Sequence, residues 1–197
     1  MLFRSSYYPT SNLLNDSVPN ATIASTWTPS STTTTVWTTS TAQKTSAPYS
    51  MFTSDIASVS DQKLETTNQI LIPSNSPILS FQGYYNTESG YDGGVIEIST
   101  NNGTSWSDLG NNIITGGYTG SISASYSNPI GGRQAFTGNS GAFVNTKVNL
   151  ASYGGQNVKL RFRLGSDNGV AGTGWYIDDI TLIDVAKVYR SEEHTSE

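Results

Sequence analysis

Cysteine is absent from this chain of 197 residues. Disulfides, thiolate metal sites and a cysteine nucleophile are therefore excluded. Charge is scarce too: only 13% of residues are charged, and 15 Asp and Glu against 10 Lys and Arg leave a formal net charge of -5. Arg161 and Arg163 are the closest basic pair and no basic stripe surrounds them, so nucleic acid is not an expected partner. No apolar run reaches the roughly 18 to 20 residues that a membrane span needs. The opening "MLFRSSYYPTSNLL" lacks the apolar stretch of a signal peptide, so the expectation is either a cytosolic protein or a natural start that lies upstream of this sequence.

Histidine occurs once, at His194, inside the closing "RSEEHTSE". With one codon choice this stretch reverse-translates to the sequence of a common sequencing adapter, and residues 189–197 are read as a non-native tail. Without His194 the chain has no Ser-His-Asp triad, no Cys-His pair and no HExxH zinc site.

What remains is rich in Ser, Thr, Asn and Gly with 35% hydrophobic residues, a profile that suits an all-β extracellular protein. Residues 1–23 read as a linker or the remnant of an upstream region, and residues 24–188 as one domain. A first strand is expected near 34–39, then a long loop over 47–66 with a short strand at 63–66. Clearer strands follow at 69–73 and 78–86. Residues 93–100 alternate, and the "NNGT" after them supplies the positive φ of a hairpin turn that returns through "SWSDL". Residues 113–141 read as Gly-rich loops around a strand near 120–126. Strands at 142–150, 156–167 and 174–184 complete the set. In 156–167, Val158, Leu160, Phe162 and Leu164 face inward, with Lys159, Arg161 and Arg163 outward. The expected fold is a two-sheet antiparallel β-sandwich of jelly-roll type.

Taken together, "SDQKL", "LSFQGYYNTESGYDGGVIEISTNNGTSWSDLG", "GGRQAF", "VNLASYGGQNVKLRFRLGSD" and "GTGWYIDDITL" resemble the MAM-like jelly-roll module found beside the catalytic domain of secreted bacterial peptidases of the fungalysin-like, immune-inhibitor-A-like and subtilisin-like kinds. The resemblance spans residues 37–183. It implies an extracellular or cell-surface location, a covalently linked catalytic domain and a non-catalytic accessory role in attachment or domain positioning. The alternative is a carbohydrate-binding module.

Three groups of residues invite chemistry. Glu88, Asp92 and Glu97 lie close in sequence, but no spacing fixes two carboxylates across a sugar cleft, so no catalytic residue is expected. Asp178 and Asp179 sit side by side in the last strand, where one acid must point to a buried face. Two readings stay open. One is a structural Ca²⁺ held by Asp178 or Asp179 with Asp92, Asp55 and further oxygens from loops around Asp61 and Asp167. The other is a carboxylate fixed by backbone N–H groups or by Arg161 or Arg163. Finally Tyr84, Tyr91 and Tyr118, with Tyr126 and Tyr153, are aromatic candidates for stacking on a glycan or protein partner.

Overall fold

The computed structural model describes residues 13–184. The expected tail, with His194, and most of the expected linker lie outside them. Fifteen strand segments are present among the described residues: β1 Leu14–Asp16, β2 Trp27–Ser31, β3 Thr38–Ser40, β4 Ser50–Thr53, β5 Ser60–Thr66, β6 Ile70–Leu71, β7 Pro77–Asn86, β8 Gly93–Ser99, β9 Ser107–Asp108, β10 Ile113–Thr115, β11 Gly120–Ser121, β12 Gln134–Ala135, β13 Val144–Asn149, β14 Asn157–Ser166 and β15 Gly174–Asp184. Thirteen of them form two antiparallel sheets, the expected jelly-roll sandwich, and β11 and β12 pair separately with each other. The first runs β10-β13-β7-β15-β4-β3, with β1 also on β15; the second runs β2-β5-β14-β8-β9, with β6 also on β14.

Alternation builds the core. Leu79, Phe81 and Tyr85 of β7 and Trp175 and Ile177 of β15 face Ile96 and Ile98 of β8 and Leu160, Phe162 and Leu164 of β14, all buried. Each such side chain stabilises the fold by about 1.5–3 kcal/mol through apolar burial. Phe162 is the hub, with its ring centre 5.0 Å from Phe81, 5.7 Å from Trp27 and 5.8 Å from Trp175.

Three departures from the sequence reading have physical reasons. Residues 14–16, expected within the linker, pair with Leu182, Thr181 and Ile180, and Leu14 and Val18 join the core. Of the strand expected near 34–39 only the end coincides with β3, while β2 precedes it and β4 emerges from the expected loop; each is short and rich in Ser and Thr, so few apolar residues mark the period. On β8 both faces are buried, because the Gly-rich segment around β11 and β12 folds over the sheet and packs Ile122, Ile130 and Ala135 on Val95.

Candidate functional site

Four connections meet at one end of the sandwich: the loop after β4, the β7–β8 turn, the β14–β15 loop and the segment before β12. Asp55 follows β4, Glu88 and Asp92 flank the β7–β8 turn, and Asp167 follows β14. The turn is closed by hydrogen bonds from the Tyr91 and Asp92 N–H groups to the Glu88 carbonyl at 3.2 and 3.0 Å. Thr87 and Thr137 hydroxyls donate to the Asp92 carbonyl at 3.0 and 2.7 Å, so Asp92 is held from both sheets' loops. Asp55 is anchored below by the buried pair Thr53 and Gln62, whose Nε2 donates to the Ser54 carbonyl at 2.9 Å.

Each buried acid accepts from, or is placed by, the backbone and leaves one oxygen bare. Asp92 Oδ1 accepts from the Asp167 N–H at 2.7 Å and from Asn128 Nδ2 at 3.4 Å. Asp55 Oδ2 accepts from the Gly172 N–H at 2.8 Å and the Glu88 N–H at 3.3 Å. Asp55 Oδ1, Asp92 Oδ2 and Asp167 Oδ1 are buried with no hydrogen-bond partner. Glu88, Asp92 and Asp167 each offer a carboxylate oxygen, and these oxygens lie within 4.8 Å of one another. Among the described residues no Lys or Arg forms an ion pair with any of the four acids.

Burial, followed by the charges of Asp55 and Asp167, pushes the Asp92 carboxyl up to about 8. Burial also raises Asp55. Keeping all of these buried carboxylates charged at once is costly, and without a cation Asp92 keeps its proton and shares it with Asp55 in a side-chain hydrogen bond. A hard cation relieves that cost, and an all-oxygen set without His or Cys suits Ca²⁺ best. Gly169 closes over the cluster; a Cβ there would lie 3.1 Å from Asp167 Oδ1 and 3.4 Å from Glu88 Oε2.

The four residues first grouped for a metal are thus divided. Asp55 and Asp92 come together, joined by Asp167 and Glu88. Asp178 lies elsewhere, four positions along β15 from Gly174, roughly 13 Å at strand rise. Its Oδ2 accepts from the N–H groups of Thr45 and Ser46 at 2.8 and 2.9 Å and from the Thr45 hydroxyl at 3.0 Å; Oδ1 accepts from the Ser46 hydroxyl at 3.2 Å and the Asp179 N–H at 2.8 Å. The second reading of the acid pair, a carboxylate fixed by backbone N–H groups, describes this geometry. Arg161 and Arg163 are engaged on the other sheet, with Glu97, Glu65 and Asp61.

The acid pair also marks a break in the strand. Asp179 has φ +49 and the register with β7 shifts between Asp178 and Thr181. This bulge changes the phase, so Trp175 and Ile177 and then Ile180 and Leu182 all reach the core. Unbroken alternation would have left both faces mixed.

The tyrosines part company as well. Tyr118 is no ligand platform: its ring packs edge-on to Phe136 at 4.9 Å. Its hydroxyl accepts from the Ile96 N–H at 3.0 Å and donates to Asp108 Oδ1 at 3.0 Å; burial, then the Asp108 charge, raises its pKa. Tyr91 is exposed at the acid-cluster end, edge-on to Tyr126 at 5.3 Å. Tyr84 lies on the outer face of the first sheet. Glu97, weighed with Glu88 and Asp92 for sugar chemistry, is 3% exposed and paired with Arg161 and Arg133.

No protein-family model matches the chain. Bacillopeptidase F of Bacillus subtilis (strain 168) is 26% identical over 111 residues, which is 56% of this chain and 6% of that protein. The chain therefore corresponds to a small part of that relative's length. Three solved structures share its architecture. They are the K1 cleaved adhesin domain of Lys-gingipain from Porphyromonas gingivalis W83, with TM-score 0.55, 14% identity, and 86% of this chain and 96% of that one covered; the C-terminal family 22 carbohydrate binding module of Clostridium thermocellum Xyn10B, with 0.53, 7%, 90% and 96%; and TmCBM61 in complex with beta-1,4-galactotriose, with 0.51, 11%, 86% and 98%. The shared property is the β-sandwich. At these identities a common fold carries no ligand with it. Among the described residues no helix is long and apolar enough to cross a membrane.

Proposed function

We propose that this chain is a non-catalytic, extracellular binding module of a larger protein, tied at one end by Ca²⁺ and serving to attach that protein to a glycan. The observation that carries the reading is the disposition of the acids. Glu97 and Asp61 are neutralised by arginines, and Asp178 is hydrogen-bonded by Thr45 and Ser46. Asp55, Glu88, Asp92 and Asp167, by contrast, form no ion pair among the described residues and gather at one end, with oxygens of Glu88, Asp92 and Asp167 within 4.8 Å of one another, too close together for a sugar ring and a water to enter between an acid and a base. Such a cluster serves to hold a cation and, through it, four loops. Adhesin and carbohydrate-binding modules among the solved structures of like fold lend support. A second reading, the MAM-like accessory module of a secreted peptidase, is favoured by the partial match to Bacillopeptidase F; in it the attachment surface meets protein rather than sugar.

Melting in millimolar CaCl₂ and in EGTA tests the cation. Binding only the folded state at a hundredfold excess over Kd stabilises by about 2.7 kcal/mol, several degrees for a domain of this size. The Tm is expected to be higher in Ca²⁺, and Asp92→Asn or Asp167→Asn to abolish the difference. Coincident curves for the unsubstituted chain sink the calcium site. Measurable release of reducing sugar from any polysaccharide would overturn the non-catalytic reading.

A further inference from the structure

The first sheet carries an aromatic row on its outer face that the core does not need. Phe143 precedes β13 and stands beside Tyr84 of β7, ring centres 5.8 Å apart; Tyr84 lies 5.8 Å from Tyr176 of β15, and Tyr176 stacks at 4.3 Å on Phe52 of β4. The register makes the row straight, since Tyr84 is opposite Tyr176 and Tyr176 opposite Phe52. Crossing four strands, it runs about 14 Å at ordinary strand spacing. At this level β13 is one edge of the sheet and β3 the other, so both ends of the row are open.

We propose that this row is the module's ligand site and that its occupant is a neutral polysaccharide chain lying across the strands; the inference rests on the binding-module reading and gives that reading its place and ligand class. Aromatic faces carry negative charge density that attracts the polarised C–H groups of a pyranose ring, whereas the sugar hydroxyls need amides and hydroxyls at the margins. Both are supplied. Asn145 and Gln82 stand in the next row on one side, and Asn86 lies on the other, donating to the exposed Thr173 hydroxyl at 3.2 Å. Among the described residues the hydroxyls of Tyr84 and Tyr176 make no hydrogen bond.

Charge decides the occupant's class. The nearest acid on this face, Asp178, is closed by Thr45 and Ser46, and Lys147 stands two rows away. Neither an acidic nor a basic polymer would find a countercharge along the track. The rings are locked before any ligand arrives, with Tyr176 only 4% exposed between its neighbours, so little ordering cost accompanies binding.

Affinity electrophoresis of the full chain in CaCl₂, with gels containing β-1,4-galactan, xylan or mixed-linkage β-glucan, tests the site. Polygalacturonate serves as an acidic control and gelatin as a protein probe. Retardation by at least one neutral polysaccharide is expected, unaffected by added NaCl. Tyr84→Ala and Phe143→Ala are expected to weaken it at least about tenfold, while Tyr84→Phe and the distant Tyr91→Ala retain it. Each variant's Ca²⁺-dependent Tm verifies folding. Retardation that survives both alanine substitutions overturns this site but leaves a glycan-binding module in place. Retardation by polygalacturonate alone overturns the neutral ligand. Retardation by gelatin alone overturns the glycan itself and returns the module to the protein-attachment reading.

Discussion

The guanidinium carbon of Arg161 lies 4.1 Å from the centre of the Trp106 ring. The same guanidinium donates through Nε to Glu97 on the neighbouring strand. Arg133 reaches over from beside β12 to the other Glu97 oxygen at 2.6 Å and to Asp108 at 2.6 Å. The outer face of the second sheet is therefore closed by a charge network rather than left as a binding surface.

That network predicts an acid-sensitive domain. Burial alone would raise Glu97, but Arg161 and Arg133 outweigh it and hold its carboxyl below the usual range; Asp61 is lowered in the same way against burial by Arg163 and Lys63. A depressed carboxyl contributes stability that is present above its unfolded pKa and lost as pH falls through the folded value. Stability should thus decline as pH drops below the ordinary carboxylate range. Glu97→Gln, which leaves the 7%-exposed Arg161 with Glu65 alone at 3.3 Å, should cost up to about 3–5 kcal/mol at neutral pH. Urea titrations at neutral and acid pH provide the check: a Glu97→Gln variant as stable as the parent at pH 7 refutes the assignment.

The bulge in β15 yields a second expectation. Asp tolerates the left-handed backbone at position 179, whereas a β-branched side chain does not. Asp179→Val should lose about 1–2 kcal/mol, and Asp179→Gly markedly less. Asp178→Asn should lower stability too, but the difference between Tm in Ca²⁺ and EGTA should persist in all three variants. Loss of that difference on replacing Asp178 would place a cation at the bulge instead of at Asp92.

A third expectation concerns the contact between the sheets. A Cβ at Gly94 would overlap ring carbons of Trp175, which is 1% exposed in the core. Gly94→Ala should destabilise by about 1–3 kcal/mol or more through overpacking. Chemical denaturation measures it, and Gly117→Ala, where the added carbon would make only an ordinary contact at 3.9 Å with Ile113, controls for composition.

Legibility in the sequence followed the strength of the local period. β7, the β8–β9 hairpin and β14 were readable because apolar residues alternate there over several positions. β2 and β4 were not, since Thr and Ser at half their positions carry no phase. The β15 bulge was hidden because alternation was extended unbroken through Asp178 and Asp179. Asp55 and Asp92 were named as metal candidates together with the loop around Asp167, whereas Glu88, which the structure sets beside them, was weighed for another chemistry and Asp178, which it sets apart, was grouped with them. Only the pairing of β14 with β8 and of β15 with β7 and β4 brings those four loop positions to one end. The outward phase of Tyr84 was visible in β7, yet the row it belongs to needs three cross-strand registers that no single segment contains.

The placement of β15 has one more consequence. It is the last described strand, yet it sits inside the first sheet, bonded to β7 on one side and to β4 and β1 on the other. Until it is made, β1 and β4 have no strand to join β7 through, and the Trp175 side chain that fills the middle of the sandwich is missing. During synthesis at about 5–20 residues per second, the first sheet must therefore wait, open and unfinished, for β15. Closure then comes as a late event that draws together segments from opposite ends of the described chain, so this fold belongs among the slow, high-contact-order folders.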